Sequence, residues 1–297
     1  MQDAAVFSPE PHIVDQLILE RAPRLLADPL LRGAFIKYLL EPLRYGEAKA
    51  MADLVRERSG SEIMDFVGAE LALDVADNGL GFLPATGPAI LVANHPTGLA
   101  DGIALWQSVK RRRSDMRFLV NGDALRVAPG LVDVMIPIEL QREKQSRAAS
   151  RRAFRYLEEA IDKEQLLVVF PSGRLAYLGW RGLTERAWLP SVLSIAKRHR
   201  LPIVPLHIKA RNSPTFYLLS ALASELRDVT LFRELLNKRG RRFQLSYGPP
   251  LDATELPAEP REAVSVLQYR VERLLPLTTA GQSWEPGRWA GRQTALG

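Results

Sequence analysis

The residues with the clearest chemical potential are His95 and Asp101, in the run Asn94-His95-Pro96-Thr97-Gly98-Leu99-Ala100-Asp101. A neutral imidazole can take a proton from a hydroxyl near neutral pH. A carboxylate on its other nitrogen fixes the tautomer and stabilises the imidazolium that forms. The plainer meaning is a histidine that hydrogen-bonds within a turn, and the setting decides between them. Ile90-Leu91-Val92-Ala93 reads as a buried strand, Pro96 and Gly98 break it, and Ile103, Leu105, Trp106 and Val109 come after at helical spacing. A strand giving way to a helix is where open α/β sheets form their sites.

Such a pair needs a scaffold. Met116–Val120, Leu166–Phe170 and Pro202–Ile208 read as further buried strands, and Pro205 marks the last as an edge strand or a bulge. Helices are expected from about Pro11 to Leu73, where Ile13, Leu17, Leu31, Phe35, Leu39, Leu40, Leu54, Val55, Ile63 and Val67 recur between Pro23, Pro29 and Pro42. Phe154, Leu157 and Ile161 mark one face of a helix over Ser146–Asp162, and Val264, Leu267, Val271 and Leu274 mark another. Pro171-Ser172-Gly173-Arg174 comes directly after the Leu166 strand. Small residues there let backbone N–H groups converge on an anion, and the arginine can pair with it. His207 lies between Leu206 and Ile208 and reads as a core histidine rather than a second base. Gly79-Leu80-Gly81 lacks the third glycine of a dinucleotide site.

Asn-His-Pro-Thr-Gly-Leu-Ala-Asp resembles the first motif of the glycerophospholipid acyltransferase superfamily, the 1-acylglycerol-3-phosphate acyltransferases and their relatives. The longer spacing between His95 and Asp101 is similar to that of the hemolysin-like, lyso-ornithine-lipid-acyltransferase-like branch. Asn121–Gly130 with Ile136–Glu139 resembles the second motif region, Phe170–Arg174 the third, Pro202–Ile208 the fourth, and Phe243–Pro250 the closing strand. The third departs from pattern: the glutamate of the common form is Ser172, and that of the hemolysin-like branch falls at Arg174.

The resemblance implies an α/β fold, a mixed central sheet flanked by helices with an N-terminal helical cap. It divides the chain into a cap over 1–73, an acyltransferase domain over 74–276 and a loose tail over 277–297. It implies transfer of a fatty acyl group from acyl-CoA or acyl carrier protein to a lysolipid hydroxyl, of the 1-acylglycerol-3-phosphate type. His95 is then the general base and Asp101 its orienter, without cofactor or metal. Asn94, Thr97, Gly98, Asn121, Arg126, Ser172, Gly173 and Arg174 are the implied substrate contacts, with backbone N–H groups near Gly98 or Gly173 receiving the oxyanion. With no cysteine and no Gly-x-Ser-x-Gly elbow, direct attack is favoured over a covalent acyl-enzyme. Two alternatives stay open: a lyso-aminolipid acceptor without phosphate, such as lyso-ornithine lipid, and a non-catalytic membrane lipid-binding protein.

The net charge of +6 is clustered at Lys110–Arg113, Arg151–Arg155, Lys197–Arg200 and Lys238–Arg242. Each cluster is either a solvated helix end or part of a face for anionic lipid. Aromatics interleaved with the basic residues, which a nucleic-acid module would carry, are missing. No run is long and apolar enough to span a membrane, and the first residues lack a signal-peptide pattern. The expectation is a cytoplasmic protein, peripheral on the inner face of the cell membrane.

Overall fold

A computed structural model describes residues 11–38, 41–138, 147–180 and 182–277. Leu39, Leu40, Glu139, Ser146 and the tail from 278 on lie outside the described residues.

Helices come first: α1 (Ile13–Arg21), α2 (Pro23–Ala27), α3 (Pro29–Tyr38), α4 (Tyr45–Val55) and α5 (Gly60–Leu71). Pro23 and Pro29 open α2 and α3, where a missing N–H costs nothing. The α/β part comes next as β1 (Asp74–Asn78), β2 (Ala89–Ala93), α6 (Leu99–Val109), β3 (Met116–Asn121), α7 (Asp123–Val127), β4 (Met135–Ile138), α8 (Arg147–Asp162) and β5 (Leu166–Val169). A small antiparallel hairpin, β6 (Tyr177–Gly179) and β7 (Gly182–Thr184), precedes α9 (Ser191–His199) and β8 (Ile203–Lys209). The chain closes with α10 (Pro214–Leu222), α11 (Ser224–Val229), α12 (Leu231–Leu236), β9 (Arg242–Tyr247) and α13 (Pro260–Tyr269).

The expected mixed sheet is present, with seven strands in the order β1-β9-β8-β2-β5-β3-β4. Strands β8, β2, β5, β3 and β4 run parallel; β9 is antiparallel to β8, and β1 runs parallel to β9. All five residues of β2 are buried. Its side chains alternate between two cores: Leu91 and Ala93 meet α5 and α6, whereas Ile90 and Val92 meet α8, α9 and α13. Burying each large aliphatic side chain there contributes about 1.5–3 kcal/mol, which fixes the end of β2 firmly in space. Helices α1–α4 enclose a third core with Phe35 and Val229, while α5 joins the core beneath the sheet.

Several expectations are corrected. Strand β8 lies inside the sheet and carries Pro205 without a bulge, because β9 pairs only as far as Leu206↔Tyr247 and Pro205 needs to supply only its carbonyl, to Gly248. Leu54 and Phe154, read as inward, are each 56% exposed, since the helices that carry them bury the neighbouring Val55 and Leu157 instead. In the Lys110–Arg113 cluster the first three residues are exposed at the end of α6 and the fourth is buried, and each has a partner. Lys110 pairs with Asp65 and Arg111 with Asp77, Arg112 donates to the Leu83 carbonyl, and the buried Arg113 ties Asp115 to the carbonyls of Pro84, Gly87 and Glu164.

Candidate active site

Strand β2 ends at Ala93, and the next residue anchors the turn beyond it. Asn94 accepts the Ile208 N–H at 2.7 Å and donates to the Ile208 carbonyl at 2.9 Å, so its side chain extends the β2–β8 ladder past the end of β2. His95 then leaves the sheet at the carboxyl end of the parallel strands. The turn passes through Gly98, whose φ of 91° admits few residues with a Cβ, and Leu175 lies 3.0 Å from where that atom would stand. Gly98 is the N-cap of α6 and Asp101 sits in its first turn.

That position gives Asp101 two tasks. Its carboxylate accepts the N–H groups of Thr97 (2.8 Å) and Gly98 (2.9 Å) and the Thr97 hydroxyl (2.5 Å), closing the helix start where unpaired donors gather. The same Oδ2 lies 3.0 Å from His95 Nδ1. Asp101 is fully buried and the His95 ring one-fifth exposed. A carboxylate facing Nδ1 favours the tautomer with its proton there, and Nε2 has no partner among the described residues.

A second segment grips His95 from behind. Phe170 stacks on the ring, centroids 4.1 Å apart. Ala176 N–H donates to the His95 carbonyl at 3.0 Å, and the His95 N–H donates to Glu185 Oε2 at 2.5 Å. Glu185 is buried, and burial pushes its pKa up to about 8; the nearby Glu272 and Asp101 add to the rise, against the His95 amide and the Ser172 hydroxyl. Gln268 of α13 holds this segment by bonding Trp188 N–H and the Arg186 carbonyl.

Asn94, Thr97, Gly98 and Ser172 thus gather with His95 and Asp101. Ser172 donates to the Arg174 carbonyl at 2.7 Å and stands 3.4 Å from Glu185 Oε1. Glu185, thirteen residues further on, therefore brings a carboxyl group next to position 172. Sequence reasoning missed Glu185, whose neighbours Thr184 and Arg186 read as solvent-facing. Arg174 is exposed. Asn121 and Arg126 make no bond to this group. Asn121 caps the Asp123 N–H, and Arg126 commits its guanidinium to Glu20 at 2.7 and 2.8 Å. Of the backbone N–H groups near Gly98 and Gly173, those of the two glycines themselves are engaged, Gly98 N–H on Asp101 and Gly173 N–H on the Phe170 carbonyl. His207 faces the other side of the sheet, beside Val271, and burial lowers its pKa to about 4. No cluster of metal-ligating side chains occurs among the described residues.

Comparison with known proteins bears on this geometry. A lyso-glycine lipid O-acyltransferase of Phocaeicola vulgatus is 26% identical over 80% of this chain and 87% of its own length. One of Bacteroides thetaiotaomicron is 23% identical over 87% of this chain and 96% of its own. The crystal structure of the 1-acyl-sn-glycerophosphate acyltransferase of Thermotoga maritima aligns with a TM-score of 0.49 and 18% identity, over 89% of this chain and all of that one. The acyltransferase family matches residues 19–274, from α1 to the turn after α13, and so takes in the His95–Asp101 pair together with the sheet that presents it. On that match the chain belongs to the acyltransferase family.

Proposed function

We propose that this protein transfers a fatty acyl group from a thioester, acyl-CoA or acyl carrier protein, to the hydroxyl of a lysolipid. The observation that carries the reading is the 3.0 Å contact between His95 Nδ1 and a fully buried Asp101 at the carboxyl end of β2, with Nε2 left as base. Nε2 takes the proton of the acceptor hydroxyl as its oxygen attacks the thioester carbonyl. The tetrahedral intermediate then expels the thiolate, which receives the proton from the imidazolium, leaving an ester and a free thiol. Asp101 stabilises the imidazolium between these steps. Base catalysis of this kind contributes about 10²–10⁴-fold.

We take the acceptor to be a lyso-aminolipid. Both curated relatives carry lyso-glycine lipid in their names, and the third motif departs from the common form at Ser172. A 1-acylglycerol-3-phosphate acceptor is the second reading, favoured by the resemblance of the first motif. The net charge of +6 supports work at the inner, anionic face of the cell membrane. No helix among the described residues is long and apolar enough to cross it.

The test uses wild type and His95→Ala, each checked for folding by circular dichroism. Labelled acyl-CoA and acyl carrier protein are offered with lyso-glycine lipid, lyso-ornithine lipid and 1-acylglycerol-3-phosphate, and products are identified by mass spectrometry. Acylation by wild type alone is expected. Turnover retained by His95→Ala ends the mechanism, and lipid binding by a wild type that turns over nothing supports the non-catalytic alternative.

A further inference from the structure

Beside the His95 turn, at the carboxyl end of β8, lies a cavity of about 1060 Å³ that the reaction scheme does not use. Its walls come from the residues after β8, the end of α12 and the start of β9. Five basic side chains and one acidic side chain face it. Glu234 is matched by the buried Lys238 at 3.2 Å, so that pair is internally neutral. Lys209, Arg211 and Arg241 are exposed, and among the described residues none of them forms an ion pair. Arg242 reaches only an exposed Asp74, at 3.8 Å. The cavity is therefore strongly positive.

A second observation points to a ligand. Asn212 lines the same cavity and is 4% exposed. Its Oδ1 accepts from Lys238, but its Nδ2 has no hydrogen-bond partner among the described residues. A buried amide donor without a partner costs about 1–3 kcal/mol, which an acceptor reaching it from the basic cavity would recover. Ser213 and Pro214, also in the lining, open α10, and the positive end of that helix adds to the field.

The placement identifies the acceptor. Strand β8 is the immediate neighbour of β2, and Asn94 ties the His95 turn to Ile208, the residue before Lys209. The Asp101 carboxylate is close enough to favour the charged form of Lys238, against the stronger lowering that burial imposes. An anion held in the cavity thus sits one strand away from the reacting centre, at the same end of the sheet. On the reading proposed above, an acyl thioester must reach His95 while the phosphate-bearing part of the donor extends away from the thioester carbonyl. Both thioester donors carry phosphate on the pantetheine arm, and the lyso-aminolipid acceptor carries none.

We propose that this cavity binds the phosphate groups of the acyl donor, with Lys209, Arg211 and Arg241 as their cationic contacts and the Asn212 amide as a neutral donor. The inference rests on the thioester reading, so its test is read by binding as well as turnover.

Coenzyme A, 3′,5′-adenosine diphosphate and pantetheine 4′-phosphate are titrated calorimetrically into the full chain and into Arg211→Ala, Arg241→Ala and the double variant. All substituted side chains are exposed, and thermal melts confirm that folding is kept. Each arginine removed is expected to weaken binding about tenfold, as loss of a charge-assisted hydrogen bond does, and to flatten its salt dependence. With an active donor, KM for the donor rises by the same factor while KM for the acceptor stays within about twofold. Loss for coenzyme A and adenosine diphosphate but not pantetheine phosphate assigns the site to the nucleotide of coenzyme A; loss for pantetheine phosphate assigns it to the arm phosphate that both donors carry. Equal binding by wild type and double variant overturns the proposal, as does no binding of any probe, or a rise in the acceptor KM alone. Arginine-dependent binding without acyl transfer would leave this site standing while removing the proposed reaction.

Discussion

Two buried carboxylates hold His95 from opposite sides, and they are held very differently themselves. Asp101 accepts from Thr97 N–H, Gly98 N–H, the Thr97 hydroxyl and His95 Nδ1. Glu185 accepts one short bond, from the His95 N–H, and otherwise meets Ser172 at 3.4 Å. A buried carboxylate stays charged when several donors replace its water shell, and takes up a proton when they do not. Asp101 has such donors on both of its oxygens. Glu185 does not, and burial moves its pKa up to about 8. Asp101 thus serves the imidazole, while Glu185, as a neutral acid, serves the backbone that carries the imidazole.

Asp101→Asn is expected to show the largest effect. The amide keeps the shape but removes the charge that stabilises the imidazolium, and it turns a donor toward N–H groups that need an acceptor. We expect kcat to fall about 10²–10⁴-fold, with stability lower by about 1–3 kcal/mol, measured by acyl-transfer assay and urea titration. A loss of stability alone would reduce Asp101 to a helix cap. The contrast predicts milder behaviour at the other carboxyl. Glu185→Gln still accepts the His95 N–H and should keep kcat within about threefold at neutral pH, whereas Glu185→Ala leaves that donor unpaired and should lower it about 10–100-fold. If Gln is as damaging as Ala, Glu185 acts as an anion and the comparison fails.

The difference between these carboxylates also marks what could be read from sequence. The contacts of Asp101 close within six residues of chain, so residue types, Pro96, Gly98 and the flanking apolar runs were enough to identify the pair and the strand–helix junction. The buried strands were legible for the same reason, since β2, β5 and β8 are near-continuous apolar runs. Glu185 reaches His95 across ninety residues, and nothing in Thr184-Glu185-Arg186 announces burial. Arg126 shows the converse: a motif position marks it for substrate, and in the fold its guanidinium meets Glu20, more than a hundred residues earlier. Local hydrogen bonding leaves a pattern in sequence; pairing through tertiary packing does not.

Gly98→Ala probes the turn that aligns both partners. At φ 91° a Cβ is strained, and the Leu175 side chain 3.0 Å away must yield. A cost of about 1–3 kcal/mol is expected. Because the turn sets the distance from His95 to Asp101, kcat should fall while the acceptor KM changes little, and unchanged kinetics would show that the pair tolerates a looser start to α6.

The last comparison concerns pH, and it sets Glu185 against His207. The Glu185 carboxyl is raised from 4.5 to about 8, so the folded protein holds a proton that the unfolded chain has lost. Its contribution is complete below about pH 4.5 and fades as pH rises toward about 8. His207 is lowered from 6.5 to about 4, so the unfolded chain takes the proton first. Its contribution is complete above about pH 6.5 and fades as pH falls toward about 4. Between about 4.5 and 6.5 the two slopes oppose each other, each at most about 1.4 kcal/mol per pH unit. Melts across this range should therefore show little net slope from the pair in wild type, then a decline above about pH 6.5. Glu185→Gln should instead gain stability from about pH 4 to 6.5 and then level off where wild type declines, while His207→Gln should lose it steadily from about 4.5 to 8. Since His207 lies across the sheet from His95, His207→Gln should also leave kcat within about twofold. A large loss of activity there would mean that the two faces of the sheet are coupled through β8.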